Sequence, residues 1–269
     1  MRAFVALVSL TASVGCDVVF DVQPTEDRRD ARADGPMGDA QRDPYRAAVL
    51  ADAPAAYFRL GDATPVDAAD EVGPAACSYF GKVSPGREGA VASGNTAVVF
   101  GDADRRVGAV NCGDRFDFAG QAAFSLELWF KGESTGDYKT LVGKYRDPTV
   151  AAGYKLHLLN KTLTFARGNN GSDQTLAPFD LPMLGLWTHV VATYDGAFMV
   201  LYIDGALQRT IPSVVSVPDS STDFQIGAEN GATNPTTPFF GSIDEVAVYE
   251  RALTGAQARA HFIAATEAR

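Results

Sequence analysis

Two carboxylates on one face of a strand can flank a sugar–sugar bond and hydrolyse it, one as acid and the other as base or nucleophile. Glu127 stands in an alternating, strand-like run, but the residue two places later is Trp129, which cannot ionise. Asp244 and Glu245 are neighbours in the chain, so a regular strand would turn their side chains to opposite faces. The acidic residues therefore do not predict the carboxylate pair of a glycosidase.

The three histidines are the other side chains suited to proton transfer. His189 lies in a strand-like run, where we expect a structural role, and His261 lies near the C-terminus. His157 alternates with Leu156 and Leu158, which predicts an outward, solvent-exposed ring. A Ser–His–Asp triad is defined by geometry, so the sequence leaves one open. The chain contains no Gly-x-Ser-x-Gly turn and no phosphate-binding Gly-Lys-Ser loop.

Aromatic, amide and carboxylate side chains on a wet surface are the usual means of holding a sugar or a similar polar ligand. The candidates of these types are Glu127, Trp129, Tyr138, Tyr145, Asn230 and Asn234. Glu127 and Trp129 share one face of their predicted strand with Ser125 and Lys131, and this face is polar enough to meet water. The alternative is that the second sheet or a loop covers Trp129.

The scaffold that would position these residues is β throughout until the last dozen residues. Residues 124–131 alternate with period two, so that Phe124, Leu126, Leu128 and Phe130 share one face. Further strands are predicted at 140–144, 154–159, 163–167, 187–194, 198–203, 224–227 and 243–249. Short strands without long helices between them predict an all-β, two-sheet antiparallel sandwich of the jelly-roll type. Thr254 predicts the cap of one short helix over 255–264, which we expect to dock on the sandwich edge.

The first sixteen residues have the character of an export signal. Arg2 precedes an apolar run over 4–14 that is too short to span a bilayer, and the segment ends Ser13-Val14-Gly15-Cys16. This ending resembles the lipobox of bacterial lipoproteins, whose cysteine becomes the acylated N-terminus, and it implies a membrane anchor at Cys16. The alternative is an ordinary secretory signal in which Cys16 is incidental.

Residues 17–44 are dense in Asp, Arg and Ala and hold almost no large apolar side chains after Val22. Such a segment cannot bury enough surface to offset the entropy lost on ordering, so we expect a disordered tether. The folded domain is predicted over 45–265, with 266–269 as a tail. The formal net charge of −10 argues against nucleic acid as a partner, because phosphate binding needs a basic face.

The chain has three cysteines. If Cys16 carries lipid, Cys77 and Cys112 remain, and they can pair in an oxidising compartment. The alternative is two free thiols. The cysteine spacing does not indicate a structural zinc site.

Five segments resemble, in family order, the motifs of LamG-like jelly-roll domains. Residues 49–62, VLADAPAAYFRLGD, resemble the opening L-x-D-x-P-x-x-Y-W-R-L-G-E, and residues 124–131 resemble F-T-V-E-A-W-V-K. Residues 187–196 match W-x-H-V-V-A-T-Y-D-G, residues 201–205 match L-Y-V-D-G, and residues 240–254 match F-x-G-x-I-D-E-V-A-V-Y-x-R-A-L-S. These domains belong to the concanavalin A-like lectin/glucanase superfamily, which implies two curved antiparallel sheets.

The resemblance also implies a calcium ion, held by loop carbonyls and one or two Asp side chains. The matching positions are Asp70, in the loop over 69–73, and Asp244, in the Ile-Asp-Glu strand. The family loop reads Asp-x-x-Gly-Asn, and the sequence here departs from it at Pro74. The alternative is that Asp70 ends a loop and Asp244 accepts backbone hydrogen bonds.

Glucanases of the superfamily carry Glu-x-Asp-x-(x)-Glu, and no such run occurs in this chain. We therefore expect an exported, lipid-anchored, non-catalytic binding module of the cell envelope or cell surface. Its expected partner is a glycan or an envelope or extracellular protein. The alternatives are a carbohydrate-active enzyme, a glycoside hydrolase or lyase with an unrecognised site, and a structural or adhesion component of the envelope.

Overall fold

The computed structural model of the chain describes residues 43–74, 76–101, 104–132, 137–146, 152–170, 173–230 and 235–266. Within these residues, sixteen strands form two antiparallel sheets of eight strands each, and a helix stands at either end. The predicted all-β, two-sheet jelly-roll sandwich with a short C-terminal helix is confirmed.

In chain order the elements are α1 (Pro44–Ala51), β1 (Ala56–Phe58), β2 (Asp67–Ala68), β3 (Cys77–Gly81), β4 (Val83–Glu88), β5 (Thr96–Phe100), β6 (Gly108–Asn111), β7 (Phe124–Gly132), β8 (Tyr138–Arg146), β9 (Ala152–Leu159), β10 (Thr162–Asn170), β11 (Asp173–Asp180), β12 (Thr188–Tyr194), β13 (Phe198–Ile203), β14 (Ala206–Pro212), β15 (Gln225–Ile226), β16 (Gly241–Tyr249) and α2 (Gly255–Thr266). Sheet 1 has the order β14-β13-β12-β7-β16-β5-β4, with β1 paired to β16. Sheet 2 has the order β11-β10-β9-β8-β15-β6-β3-β2.

The core lies between the inner faces of the two sheets. Four alternate residues of β7 point into it, as their period of two predicts: Phe124, Leu126, Leu128 and Phe130. The Phe124 ring lies 4.6 Å, centroid to centroid, from the ring of Tyr154 on sheet 2. The packing of β7 against β9 therefore joins the two sheets at the middle of the sandwich.

Helix α2 is capped by Thr254, as the sequence predicts. The Thr254 hydroxyl accepts a hydrogen bond from the N–H of Gln257 at 3.3 Å, and the Gln257 side chain accepts one from the N–H of Thr254 at 2.9 Å. The expectation that this helix docks on the sandwich edge is wrong. It lies on the outer face of sheet 1, where Phe262 stacks on Trp129 with 5.9 Å between ring centroids.

Helix α1 is an element that the sequence patterns did not predict. Asp43 caps it by accepting the N–H of Arg46 at 2.9 Å, and Pro44 occupies the first turn. Asp43 also pairs with the guanidinium of Arg59. Residues 43 and 44 are therefore part of the fold and not of the predicted tether, whose other residues lie outside the described part. Neither helix of the described residues is long and apolar enough to span a bilayer.

Strand β16 turns two neighbouring carboxylates to the same side. A bulge separates Asp244 from Ala247, and Glu245 has a φ of 54°. Both carboxylates accept hydrogen bonds from the side-chain amide of Asn95, at 3.3 and 3.0 Å. The expectation of opposite faces is wrong, because it assumed a regular strand.

Cys77 and Cys112 form a disulfide between β3 and the residue that follows β6. The bridge joins neighbouring strands of sheet 2, with 4.4 Å between the Cα atoms, and it spans 35 positions of sequence. Closing a loop of this length in the unfolded chain stabilises the folded state by about 3–4 kcal/mol in the chain-entropy model. The predicted pairing is confirmed, and Cys16 lies outside the described residues.

One buried carboxylate joins both helices to sheet 1. Glu127 of β7 is fully buried, and its oxygens accept hydrogen bonds of 2.8 or 2.9 Å from four side chains. The donors are Tyr45 of α1, His189 of β12, Tyr249 of β16 and His261 of α2. Burial raises the pKa of Glu127, but the charge of His261 and the histidine hydrogen bonds outweigh burial and hold it well below its usual range.

His261 bridges two carboxylates. Its Nδ1 lies 2.9 Å from Glu127, and its Nε2 lies 3.0 Å from Asp52. Each ring nitrogen needs a proton to donate to its carboxylate, so this geometry favours the imidazolium. Burial lowers the pKa of His261, but the attraction of Glu127 and Asp52 outweighs burial and raises it above its ordinary value.

The raised pKa of His261 makes the stability of the fold depend on pH. The bound proton stabilises the folded chain fully below the unfolded pKa of about 6.5, and this contribution is lost as the pH rises through the higher folded pKa. Denaturant titrations should show the free energy of unfolding falling above about pH 6.5. In His261→Gln this part of the fall should vanish. At lower pH the free energy of unfolding of the variant should be about 3–5 kcal/mol below that of wild type, because Glu127 keeps its charge without its ionic partner.

His157→Gln is the matched control for this titration. Burial, and then the charge of Lys155, lower the pKa of His157 to about 3, so its ring is neutral in the folded chain above the unfolded pKa. The control should therefore keep the wild-type slope at alkaline pH. An unchanged slope in His261→Gln would show that another group titrates.

Candidate functional site

Glu127 and Trp129 lie on the outer face of sheet 1, beneath the two helices. Trp129 is 3% exposed and Glu127 is 0% exposed. The rings of Tyr45 on α1 and Phe262 on α2 lie 6.3 and 5.9 Å from the Trp129 ring. This face does not meet water. Trp129 is covered, as the alternative reading predicts, although two helices cover it and not the second sheet or a loop.

The other described candidates lie at the outer face of sheet 2. Tyr138 is 52% exposed, whereas Tyr145 is buried. Asn230 is half-buried at the start of the loop after β15 and donates a hydrogen bond of 2.7 Å to the Thr236 hydroxyl. Asn234 belongs to residues 231–234 and lies outside the described residues.

Strand register decides which side chains share this outer face. Across β8, β9 and β10, Thr140 pairs with His157, and His157 pairs with Thr164. Two residues along β9, Lys155 pairs with Gly143 of β8. Since successive side chains alternate, Lys155 and His157 point outward together, and the leucine between them points into the core.

A salt bridge stands at the centre of this face. The Lys155 ammonium lies 2.9 Å from Oε2 of Glu229 and 4.0 Å from the ring centroid of Tyr145. The Thr140 hydroxyl donates to the same glutamate oxygen at 3.2 Å. Lys155 and Glu229 are 5% and 1% exposed, so the two charges neutralise each other out of water. We call Thr140, Tyr145, Lys155, His157 and Glu229 the polar cluster.

His157 extends the polar cluster toward solvent. It points outward, as predicted, but it is only 6% exposed, so the expectation of an exposed ring is wrong. Burial, and then the nearby charge of Lys155, lower its pKa to about 3, which leaves a neutral ring. The ring of the exposed Tyr138 lies 5.3 Å from it and forms the outer rim of the cluster.

Two polar atoms of the cluster have no hydrogen-bond partner among the described residues. They are Oε1 of Glu229 and Nδ1 of His157. Leaving a buried polar atom unpaired costs about 1–3 kcal/mol, so most buried polar groups have a partner. Nε1 of Trp129 and Nδ1 of His189, beneath the helices, also have no hydrogen-bond partner among the described residues. The glutamate oxygen is an acceptor, and the neutral imidazole nitrogen is either a donor or an acceptor.

The sequence patterns did not single out Thr140, Lys155 or Glu229 as site residues. The alternation of Lys155 and His157 with two leucines gave a usable signal for an outward polar pair. No sequence pattern predicted Glu229 as the partner of Lys155. Glu229 follows Lys155 by 74 residues, and the two come into contact only because of the order of strands in the sheet.

Asp70 stands among nitrogen donors. It accepts hydrogen bonds from the backbone N–H groups of Tyr57 and Val72, both at 3.0 Å. Its other oxygen lies 3.3 Å from the Arg115 guanidinium. The carboxylate is therefore already matched by positive and donor groups of the protein.

Asp244 has similar surroundings. It accepts the N–H of Ala90 at 2.8 Å and the amide of Asn95 at 3.3 Å. Calcium takes six to eight oxygen ligands, and in the described part of the chain no three residues among His, Cys, Asp and Glu are arranged to hold a metal. The donor sets around Asp70 and Asp244 do not fit a calcium ion, and the calcium prediction rests on the resemblance alone.

Calcium should therefore have little effect on thermal stability. A cation that binds only the folded chain raises the melting temperature with its concentration. We expect the melting temperature of chelator-treated protein to stay the same when excess calcium is added, because Asp70 and Asp244 already have their partners. A calcium-dependent rise that disappears in Asp70→Asn or Asp244→Asn would establish the site.

A family model spans the greater part of this architecture. The Laminin_G_3 model, described as the concanavalin A-like lectin/glucanases superfamily, matches residues 104–259. The matched residues include the central strands β7 and β16 of sheet 1 and the whole polar cluster. A search of curated proteins finds no match.

Solved structures share the fold at low identity. The binding domain of botulinum neurotoxin serotype G is 11% identical, with a TM-score of 0.59 over 78% of this chain and 50% of that one. The binding domain of botulinum neurotoxin DC in complex with SialylT is 15% identical, with a TM-score of 0.59 over 78% and 51%. Domain 4 of AbnA, a GH43 extracellular arabinanase from Geobacillus stearothermophilus, in complex with arabinotriose, is 21% identical, with a TM-score of 0.55 over 77% and 97%. This chain spans about half the length of the neurotoxin domains, and the likeness shows the fold alone.

Proposed function

Because this chain belongs to the Laminin_G_3 family of the concanavalin A-like lectin/glucanases superfamily, we propose that it is a non-catalytic binding module that holds a glycan on the outer face of sheet 2. A shared fold does not fix a function, so the proposal stands on the site. The observation that carries it is the buried polar cluster with two atoms that lack a partner among the described residues. A sugar hydroxyl both donates and accepts, so it suits either atom.

Each residue of the cluster has a distinct part in this proposal. Oε1 of Glu229 accepts a hydrogen bond from one sugar hydroxyl, and Nδ1 of His157 forms a hydrogen bond with another. Both atoms are shielded from water, so the sugar reaches them only if side chains at the rim, Tyr138 among them, move aside. Lys155 positions the glutamate through its other oxygen at 2.9 Å. Tyr138, whose ring is exposed, offers an apolar surface against which a sugar ring can pack.

Two structural neighbours support the class of ligand. The arabinanase domain was solved in complex with arabinotriose, and one neurotoxin binding domain in complex with SialylT. Both are described as domains of larger proteins, one of an extracellular enzyme and one of a toxin. In these two proteins, therefore, a domain with this fold was solved with a sugar ligand or as a binding domain.

The chemistry of the cluster favours binding over turnover. Glycosidases need two carboxyl groups about 5–9.5 Å apart on either side of the bond. In the polar cluster as described, Glu229 is the one carboxylate, and Lys155 pairs with it. The lowered pKa of His157, about 3, makes its ring a weak base at neutral pH.

Substitutions in the cluster should weaken glycan binding at temperatures where the variants are still folded. Glu229→Gln should also lose about 3–5 kcal/mol of stability, because the buried Lys155 keeps its charge without its ionic partner. We expect the full chain to bind members of a neutral polysaccharide panel, and Glu229→Gln to bind about tenfold more weakly, because a charged acceptor is lost. His157→Phe keeps an aromatic ring and removes both nitrogens, and it should weaken binding about threefold to tenfold. Calorimetric titration gives the dissociation constants, and melting curves show whether the variants fold.

Glu88→Gln is the matched control, because it makes the same change at an exposed position on β4 of the other sheet. It should bind as wild type does. Release of reducing or unsaturated sugars from the panel would favour a glycoside hydrolase or lyase instead. Binding to none of the glycans would favour an envelope or extracellular protein as partner, or a structural or adhesion role.

We also propose that the module is exported and anchored through a lipid on Cys16, as the lipobox-like ending of its first segment implies. Several acyl chains hold a protein on a membrane durably, whereas a single chain does so only marginally. In a bacterial host we expect the full chain in the membrane fraction and Cys16→Ser in the soluble fraction. Equal membrane association of both would contradict the anchor.

A further inference from the structure

Helix α2 has few apolar contacts with sheet 1. Its fully buried residues are Ala258, His261 and Ala265. Its one phenylalanine, Phe262, is partly buried, and its ring lies 5.9 Å from the ring of Trp129. Because an alanine buries little apolar area, the hydrogen bonds and ion pairs of His261 are a large part of what holds this helix to the sandwich.

His261 is surrounded by polar groups from every element that packs against it. The titratable and charged groups around it are Tyr45 of α1, Asp52 after α1, Glu127 of β7, His189 of β12, Tyr249 of β16 and, through Asp52, Arg251. Burial, and then the charge of Glu127, raise the pKa of the Tyr45 and Tyr249 hydroxyls well above the ordinary value, so neither ionises below about pH 10.

The proton of His261 decides whether both of its hydrogen bonds exist. The ring donates from Nδ1 to Glu127 at 2.9 Å and from Nε2 to Asp52 at 3.0 Å. A neutral imidazole has one N–H, so after loss of the proton one ring nitrogen faces a carboxylate with a lone pair. Glu127 keeps three other donors, none of them on α2, and Asp52 keeps Arg251. The loss therefore falls mainly on the attachment of α2.

The surface beneath α2 would gain hydrogen-bond partners from water. Nε1 of Trp129 and Nδ1 of His189 are buried and have no partner among the described residues. The Phe262 ring stacks on both of these rings, at 5.9 and 6.1 Å between centroids. Hydration of the two nitrogens would offset part of the free energy lost when the helix leaves.

We propose that α2 is a pH-sensitive cover: when His261 loses its proton, Gly255–Thr266 leaves sheet 1 while the sandwich stays folded, and the Trp129 ring becomes accessible to solvent. This inference goes beyond the fall in global stability, because it identifies the part of the chain that opens first. It is independent of the glycan site on sheet 2.

The direction of the pH effect follows from the surroundings of His261. Burial lowers its pKa, but Glu127 and Asp52 outweigh burial and raise it above the ordinary value of about 6.5. The helix is therefore held below the folded pKa and is released as the pH rises through it.

Hydrogen–deuterium exchange of the full chain at about pH 6 and about pH 9 tests this cover. The protection factors, from which the intrinsic pH dependence of exchange is divided out, should fall about tenfold or more in α2, because each unit of raised pKa changes the opening equilibrium tenfold. Amides of β9 and β10 should keep their protection. In Trp187→Phe, which leaves Trp129 as the one tryptophan, acrylamide quenching of fluorescence should increase over the same pH range.

Asp52→Asn separates the proton of His261 from a merely structural role. With this variant a neutral ring keeps both hydrogen bonds, because Nδ1 donates to Glu127 and Nε2 accepts from the new amide. We expect α2 to stay protected at both pH values. In His261→Gln, α2 should be weakly protected at both pH values, and the matched control His157→Gln should behave as wild type does.

Three results would overturn the inference. They are equal protection of α2 in wild type at both pH values, loss of protection in α2 together with β9 and β10, and a pH dependence that survives in Asp52→Asn. If His261→Gln does not fold, wild type and Asp52→Asn still decide, because both retain the imidazole ring.

Discussion

The carboxylate of Glu127 is the interaction on which the arrangement of the helices depends. A buried charge is tolerated only where donors surround it, and this one has two tyrosine hydroxyls and two histidine rings. Two of these donors, Tyr45 and His261, come from opposite ends of the domain. The position of Glu127 on β7 therefore fixes where both helices lie, and with them which face of the sandwich is closed.

With the outer face of sheet 1 closed, the site that we propose for a glycan lies on the outer face of sheet 2. Tyr45 of α1 and Phe262 of α2 cover Trp129 on sheet 1, whereas Tyr138 on the outer face of sheet 2 reaches solvent. The two outer faces therefore differ. The outer face of sheet 1 forms a second, smaller hydrophobic core with the helices, and the outer face of sheet 2 carries polar side chains on its strands. The disulfide of Cys77 and Cys112 adds a covalent link between neighbouring strands of sheet 2.

Alternation in the sequence predicted the strands and which side chains share a face. It could not predict which element covers an outer face: the alternative reading had the second sheet or a loop over Trp129, whereas helix α2 covers it. Helix α1 escaped prediction because it has only eight residues and its cap, Asp43, lies in a stretch that reads as a tether. The bulge at Glu245 was not predicted, because a regular strand was assumed and the residues Ile-Asp-Glu do not indicate a positive φ. Pairing of Lys155 with Glu229 depends on strand order, which local patterns do not contain.

Glu127 and Glu229 show how burial separates a structural carboxylate from one that is free to act. Both are at most 1% exposed, and both lie on outer faces of the sandwich. Glu127 has donors at both oxygens, which completes its hydrogen bonding inside the protein. Glu229 has Lys155 and Thr140 at one oxygen, while the other has no partner in the described part of the chain. An unpaired buried oxygen costs free energy, and this contrast is the ground on which we propose ligand binding for Glu229, whereas Glu127 stabilises the fold.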